Sequence, residues 1–230
     1  MTTKSASGMQ LWVACTDGDL ALVQSLVAAK SPPPLSRSML NFVGPEREDT
    51  PLHRACRFGH AQVVEYLLTV PGVALNQGNA GDASPFNIAC QEGHVGVLQV
   101  LLRDPRIEVN KLTRDQQTPF YAACREGRAE AVRVLLEDER ISTLQTNAGG
   151  YSPFAVAASN GFVFLCQLIL CSGRDVNLGQ MTNPGPAFWN NQTVLQMLNT
   201  STTRERFVYE TVEDYERERT NAPSIVAFDN

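Results

Sequence analysis

Apolar residues recur along the chain in paired doublets: Val63-Val64 with Leu67-Leu68, Val97-Leu98 with Leu101-Leu102, Ala131-Val132 with Leu135-Leu136, and Leu165-Cys166 with Ile169-Leu170. Apolar positions at i, i+1, i+4 and i+5 predict a helix with one buried stripe. A glycine precedes each of these helices (Gly59, Gly93, Gly127, Gly161), where an earlier helix should stop and the chain turn through positive φ. Ahead of each glycine stand small residues, Ala55-Cys56, Ala89-Cys90, Ala123-Cys124 and Ala157-Ala158, which would let that earlier helix approach its neighbours closely.

The earlier helix has a start signal of its own. Thr50-Pro51-Leu52-His53, Ser84-Pro85-Phe86-Asn87, Thr118-Pro119-Phe120-Tyr121 and Ser152-Pro153-Phe154-Ala155 begin at 50, 84, 118 and 152, each 34 residues apart. The hydroxyl can cap free amides, and proline at the first helical position gives up a donor that has no partner there. Each unit therefore reads as helix, turn, helix, loop, and the period governs the fold.

The period loosens at both ends. A shift of 41 residues from the second unit lands on Leu11, Ala14, Cys15, Gly18, Leu22, Val23, Leu26 and Val27, with Met9 and Gln10 where a hydroxyl and a proline would stand. Residues 1–29 are accordingly expected to form an N-terminal capping unit, 30–49 a proline-containing loop, and 50–177 four regular units. Thr193-Val194-Leu195-Gln196 lies 41 residues after Ser152. Phe207, Val208, Thr211, Val212 and Tyr215 then share one helical face, so 178–219 reads as a degenerate C-terminal cap and 220–230 as a tail.

The stretch from Thr50-Pro51-Leu52-His53-Arg54-Ala55-Cys56 through Gly59-His60 to Val63-Val64-Glu65-Tyr66-Leu67-Leu68 resembles the ankyrin repeat, and the likeness covers roughly residues 8 to 177. The resemblance implies an all-α fold, an ankyrin-repeat solenoid of stacked helix-turn-helix units with hairpin-like connecting loops. Ankyrin units usually have about 33 residues. The additional residue here falls in segments such as Asp104-Pro105-Arg106-Ile107-Glu108-Val109-Asn110, which implies a longer loop. The motif histidine is kept as His53 but replaced by Asn87, Tyr121 and Ala155, so the turn hydrogen bond it makes in the family is not expected in those units.

Composition narrows the function. A formal charge of −5 and a pI near 5.3 argue against general affinity for nucleic acid, which needs clustered Lys and Arg. The apolar run Leu11-Trp12-Val13-Ala14-Cys15 is far short of the roughly 20 residues needed to cross a bilayer. No secretory signal is legible at the start, so the six cysteines are expected as thiols in a reducing compartment, the cytoplasm first and the nucleus second.

Catalytic chemistry is not legible. His53, Cys56 and His60 stand at i, i+3 and i+7, and Cys90 and His94 at i and i+4, but there is no C-x-x-C pair and zinc needs four convergent ligands. The three histidines all occupy motif positions, no phosphate-binding loop is present, and the expectation is no enzyme, no metal and no cofactor. The recurring cysteines Cys15, Cys56, Cys90 and Cys124 read as a ladder of small buried packers.

The resemblance implies that the first helices line a concave groove with the loops projecting as fingers. With units roughly 10 Å apart, six would give a groove about 50 Å long, suited to a protein segment. Arg57 with Phe58, Gln91 with Glu92, Arg125 with Glu126, and Ser159 with Asn160 are expected to face it, with Asp49, Gln117 and Tyr151 on the fingers. Aromatic and arginine side chains dominate interface energies, so Phe58, Arg57, Arg125 and Tyr151 are the expected anchors. The function expected is a monomeric interaction module or adaptor for a protein partner, away from membranes. The alternative is a regulatory or substrate-receptor subunit of a larger enzyme or ligase assembly.

Overall fold

A computed structural model of the chain describes residues 3–28 and 36–177. Among them lie eleven α-helices and no strand: α1 (Thr3–Asp17), α2 (Leu20–Ala28), α3 (Arg37–Leu40), α4 (Pro51–Arg57), α5 (Ala61–Thr69), α6 (Pro85–Glu92), α7 (Val95–Leu102), α8 (Pro119–Arg125), α9 (Ala129–Leu136), α10 (Pro153–Ser159) and α11 (Val163–Cys171). The first helices α1, α4, α6, α8 and α10 pack in series as one layer. The second helices α2, α5, α7, α9 and α11 form the other, each also packed on the first helix of its own unit.

The hydroxyl–proline pairs start the first helices as the sequence implies. Thr50, Ser84, Thr118 and Ser152 are extended N-caps whose side chains accept from the amides of His53, Asn87, Tyr121 and Ala155, with proline in the first turn. Such caps contribute about 1 kcal/mol each. The turns that end these helices need glycine for two reasons, as Gly59 shows: its φ is +77°, and an added Cβ would stand 2.8 Å from Nδ1 of His94. The next unit is seated directly on that bare backbone.

Small pairs close the core. Ala55, Cys56, Ala89, Cys90, Ala123, Cys124, Ala157 and Ala158 are buried against Leu52, Phe86, Phe120 and Phe154. In α5, α7, α9 and α11 the first three members of each apolar set are buried, while Leu68, Leu102 and Leu170 are only partly covered.

Two polar ladders tie each unit to the next. Asn76 donates to the Arg106 carbonyl and accepts from the Glu108 amide at 2.8 and 3.0 Å; Asn110 repeats this with Arg140 and Ser142, and Asn41 with Gly72 and Ala74. Running the other way, Arg106 donates to the Leu68 carbonyl and Arg140 to that of Leu102. Both guanidiniums also pair with the carboxylate two residues earlier, Asp104 or Asp138, within the longer loop. These arginines hold both carboxyls below their usual range.

The N-terminal unit departs from expectation. Leu11, Ala14, Cys15 and Val23 are buried, but α1 begins at Thr3, ahead of Met9, since no hydroxyl–proline pair marks a start there. Leu22, assigned to the buried stripe, is exposed: among the described residues α2 has a second-layer neighbour, α5, on one side only. The stretch 30–49, expected to be loop, carries the helical turn α3 with Met39 and Leu40 buried. Pro32-Pro33-Pro34, the degenerate unit at 178–219 and the tail at 220–230 lie outside the described residues.

Candidate functional site

The loop before each first helix folds back as a finger. Within successive fingers the backbone closes from Gly44 to Asp49, Asn79 to Ala83, Thr113 to Gln117 and Asn147 to Tyr151, with N···O distances of 3.0 to 3.1 Å. Neighbouring tips are joined by backbone bonds from Ala80 to Arg47, Arg114 to Gly81 and Ala148 to Asp115. Glu48, Asp82, Gln116 and Gly150 hold the same left-handed corner. Gly150 suits it without strain and Asp82 is a type that tolerates it, whereas Glu48 and Gln116 are not.

The motif position at the base of the finger is solved differently in each unit. His53 Nδ1 accepts from the Thr50 amide at 3.1 Å, which leaves Nε2 to donate to the Ala83 carbonyl of the next finger at 2.9 Å. Burial holds the pKa of this imidazole below the usual 6.5, and Ala83 and Asp49 oppose that shift without reversing it. Tyr121 replaces the histidine and still reaches the next finger, its hydroxyl accepting from Asn147 at 2.9 Å. Asn87 is too short to do so, and its buried Nδ2 has no partner. Ala155 has no polar group to offer.

His60 and His94 brace the turns, donating through Nε2 to the carbonyls of Thr16 and Arg57 in the preceding unit. Arg128 does the same to Gln91, and Asn160 to Arg125. Sequence reading gave the two histidines motif positions but missed this succession. A donor just after three of the glycines, as His60, His94 and Arg128, was its available signal; in the last unit Phe162 follows the glycine and Asn160, just before it, makes the bond.

Asp49 requires a correction. It was expected on an exposed finger, but it is 0% exposed and forms the hub of a buried network. Its carboxylate takes Arg57 Nε at 3.0 Å and Asn79 Nδ2 at 2.8 Å, with Arg54 Nη1 3.9 Å away. Its carbonyl accepts from Trp12 Nε1 at 2.8 Å. Two arginines converge on one carboxylate, so it is held in place and offers no surface to a partner. Arg54 lies buried between the rings of Trp12 and Phe58, 4.2 and 4.7 Å from their centroids.

The other named residues fall on the surface of the first-helix layer. Phe58 is 44% exposed and stacks on His60. Arg57 is mostly covered, bonded to Asp49 and to Glu92 at 3.0 Å. Arg125 bonds Gln117 at 2.7 Å and Glu126 at 2.9 Å, so its guanidinium is engaged within the chain. Gln91, Glu92, Gln117, Glu126 and Ser159 are half-buried, and Tyr151 and Asn160 are exposed.

Burial pushes the Cys15 and Cys166 thiols up to about 12, and it raises Cys56, Cys90 and Cys124 as well, so these groups stay protonated near neutrality. Among the described residues no set of three His, Cys, Asp or Glu side chains converges as metal ligands would. Nor is any helix there long and apolar enough to cross a membrane. Two open clefts of about 420 and 440 Å³ lie between second helices, one lined by Leu68 and Val100 and the other by Leu102 and Val134, away from the fingers.

Compared with models of known families, the chain matches ankyrin repeats in three copies, over residues 11–113 and 105–180. No curated protein matches it.

Proposed function

Since the chain belongs to the ankyrin-repeat family, whose repeats bind proteins, we propose that it is a non-catalytic adaptor holding a protein partner in the concave groove between its first helices and its fingers. The observation that supports this reading is the unbroken series α1, α4, α6, α8 and α10, with Phe58 and Tyr151 exposed along it. Arg57, Phe58, Gln91, Glu92, Arg125, Glu126, Ser159, Asn160, Gln117 and Tyr151 form the proposed contact surface, and Asp49 supports it from below. Residues 1–29 act as the N-terminal cap, 50–177 as the binding body and 178–219 as the closing unit. The protein works as a monomer in the cytoplasm.

Affinity capture compares wild type with a Phe58→Ala, Arg125→Ala double variant of unchanged circular dichroism. Partners should be lost from the variant. Equal recovery by both forms would place the contact elsewhere on the molecule.

A further inference from the structure

We infer that the groove takes a basic linear segment, extended from Asp17 toward Glu126 with an apolar side chain set against Phe58; this rests on the groove reading above. One observation is how the ion pairs are layered. Asp17, Phe58, Glu92, Glu126 and Asn160 hold the same place in successive units and so form one row: carboxylate, ring, two carboxylates, amide. The cations that would balance them stand one residue earlier, as Arg57 and Arg125, or deeper, as Arg54.

Arg54 and Arg57 each meet buried Asp49 on one side and a more accessible carboxylate on the other. Side-chain exposure is 8% for Arg54 against 64% for Glu46, and 12% for Arg57 against 29% for Glu92. Arg125 and Glu126 are equally exposed. Asp17 and Glu48 are exposed and make no ion pair among the described residues. Of the accessible cations nearby, Arg47 and Arg114 sit at finger tips directly beside Glu48 and Asp115, Lys111 is drawn to Asp82 at 3.4 Å, and Arg128 lies over the Gly93 turn with its Nε bonded to the Gln91 carbonyl. The row itself holds three carboxylates and no cation, so a basic segment laid along it replaces their hydration with charge-assisted bonds.

The second observation is independent of charge. Phe58 presents an open ring that is already fixed, with Arg54 4.7 Å from its centroid and His60 stacked on it at 6.3 Å. An exposed aromatic that needs no ordering on binding is an efficient anchor for an apolar side chain. At roughly 10 Å per unit the row from Asp17 to Glu126 spans about 30 Å, the length of about nine extended residues.

The probe is a labelled peptide of alternating arginine and leucine, with its glutamate–leucine counterpart as control, titrated against the full chain by fluorescence anisotropy. The arginine peptide should bind, weaken with added salt, and lose about tenfold in affinity in Asp17→Lys and separately in Phe58→Ala. Asp17 is exposed and contributes nothing to the core, so its variant keeps the test valid if Phe58→Ala is unstable. No binding, equal binding of the glutamate peptide, or indifference to both substitutions overturns the inference. If captured partners still depend on Phe58 and Arg125 but are not displaced by the arginine peptide, the groove stands and its preference for basic segments falls.

Discussion

The first and the last of the regular units, at α4 and α10, close the same repeat geometry with opposite chemistry. At positions 49, 53 and 57 stand Asp, His and Arg; three units later the same places hold Tyr151, Ala155 and Ser159. The first set is a buried ionic network drawing in Trp12, Arg54 and Asn79. The second is an exposed ring, a methyl group and a hydroxyl bonded within its own helix to the Ala155 carbonyl. The fold thus tolerates either solution. The ionic one carries higher stakes, because each member is costly once its partner is gone.

Asp49→Ala tests that contrast most severely. It leaves Arg57 with Glu92 and Arg54 with Glu46 as the remaining carboxylate, and takes the acceptor from Asn79, in a site with little water; loss of about 3 kcal/mol in urea unfolding is expected. Tyr151→Ala, its counterpart, should cost less than about 1 kcal/mol. Similar losses for both would show that the network contributes no more than ordinary packing.

A middle-sized effect is expected where the series is incomplete. Asn87→His would supply the orphaned site with a ring long enough to reach the Gln117 carbonyl, as His53 reaches Ala83. Stability should rise by about 1 kcal/mol. A fall in the unfolding midpoint would mean that the buried amide is better accommodated than its missing partner suggests.

The smallest effect separates the two units by pH. Burial lowers the pKa of His53 in the folded state, so the unfolded chain takes up a proton near 6.5 that the folded chain resists. Stability is therefore full above pH 6.5 and declines as pH falls from there toward the folded value. The decline should be shallower in His53→Asn, read as unfolding midpoint against pH. Asp104 and Asp138, held below 3.8 by their arginines, add their own loss only in more acidic solution.

The helix starts were legible because each is local: a hydroxyl, a proline and an amide three residues on settle the cap without reference to the rest of the chain. Asp49 was not, since its burial depends on Arg57 eight residues later, Asn79 thirty later and Trp12 thirty-seven earlier. A faint signal existed in the recurrence of a polar pair eight apart, Asp49 with Arg57 and Gln117 with Arg125. Leu22 misled for the converse reason: its pattern is that of a buried stripe, but burial also requires a neighbour, and none of the described residues covers it on that side. The asparagines at 76 and 110 could have been found by the period alone, had polar residues been aligned as carefully as apolar ones.

Those asparagines carry a consequence for how such a molecule can be lengthened. Asn76 and Asn110 present identical fittings to the unit that follows, and Arg106 and Arg140 present identical fittings to the unit before. A 34-residue cassette copied between them would arrive with both couplings built in. Splicing it in adds one finger and one span of groove while every existing joint is reused unchanged, so gene duplication can alter reach without inventing a new interface.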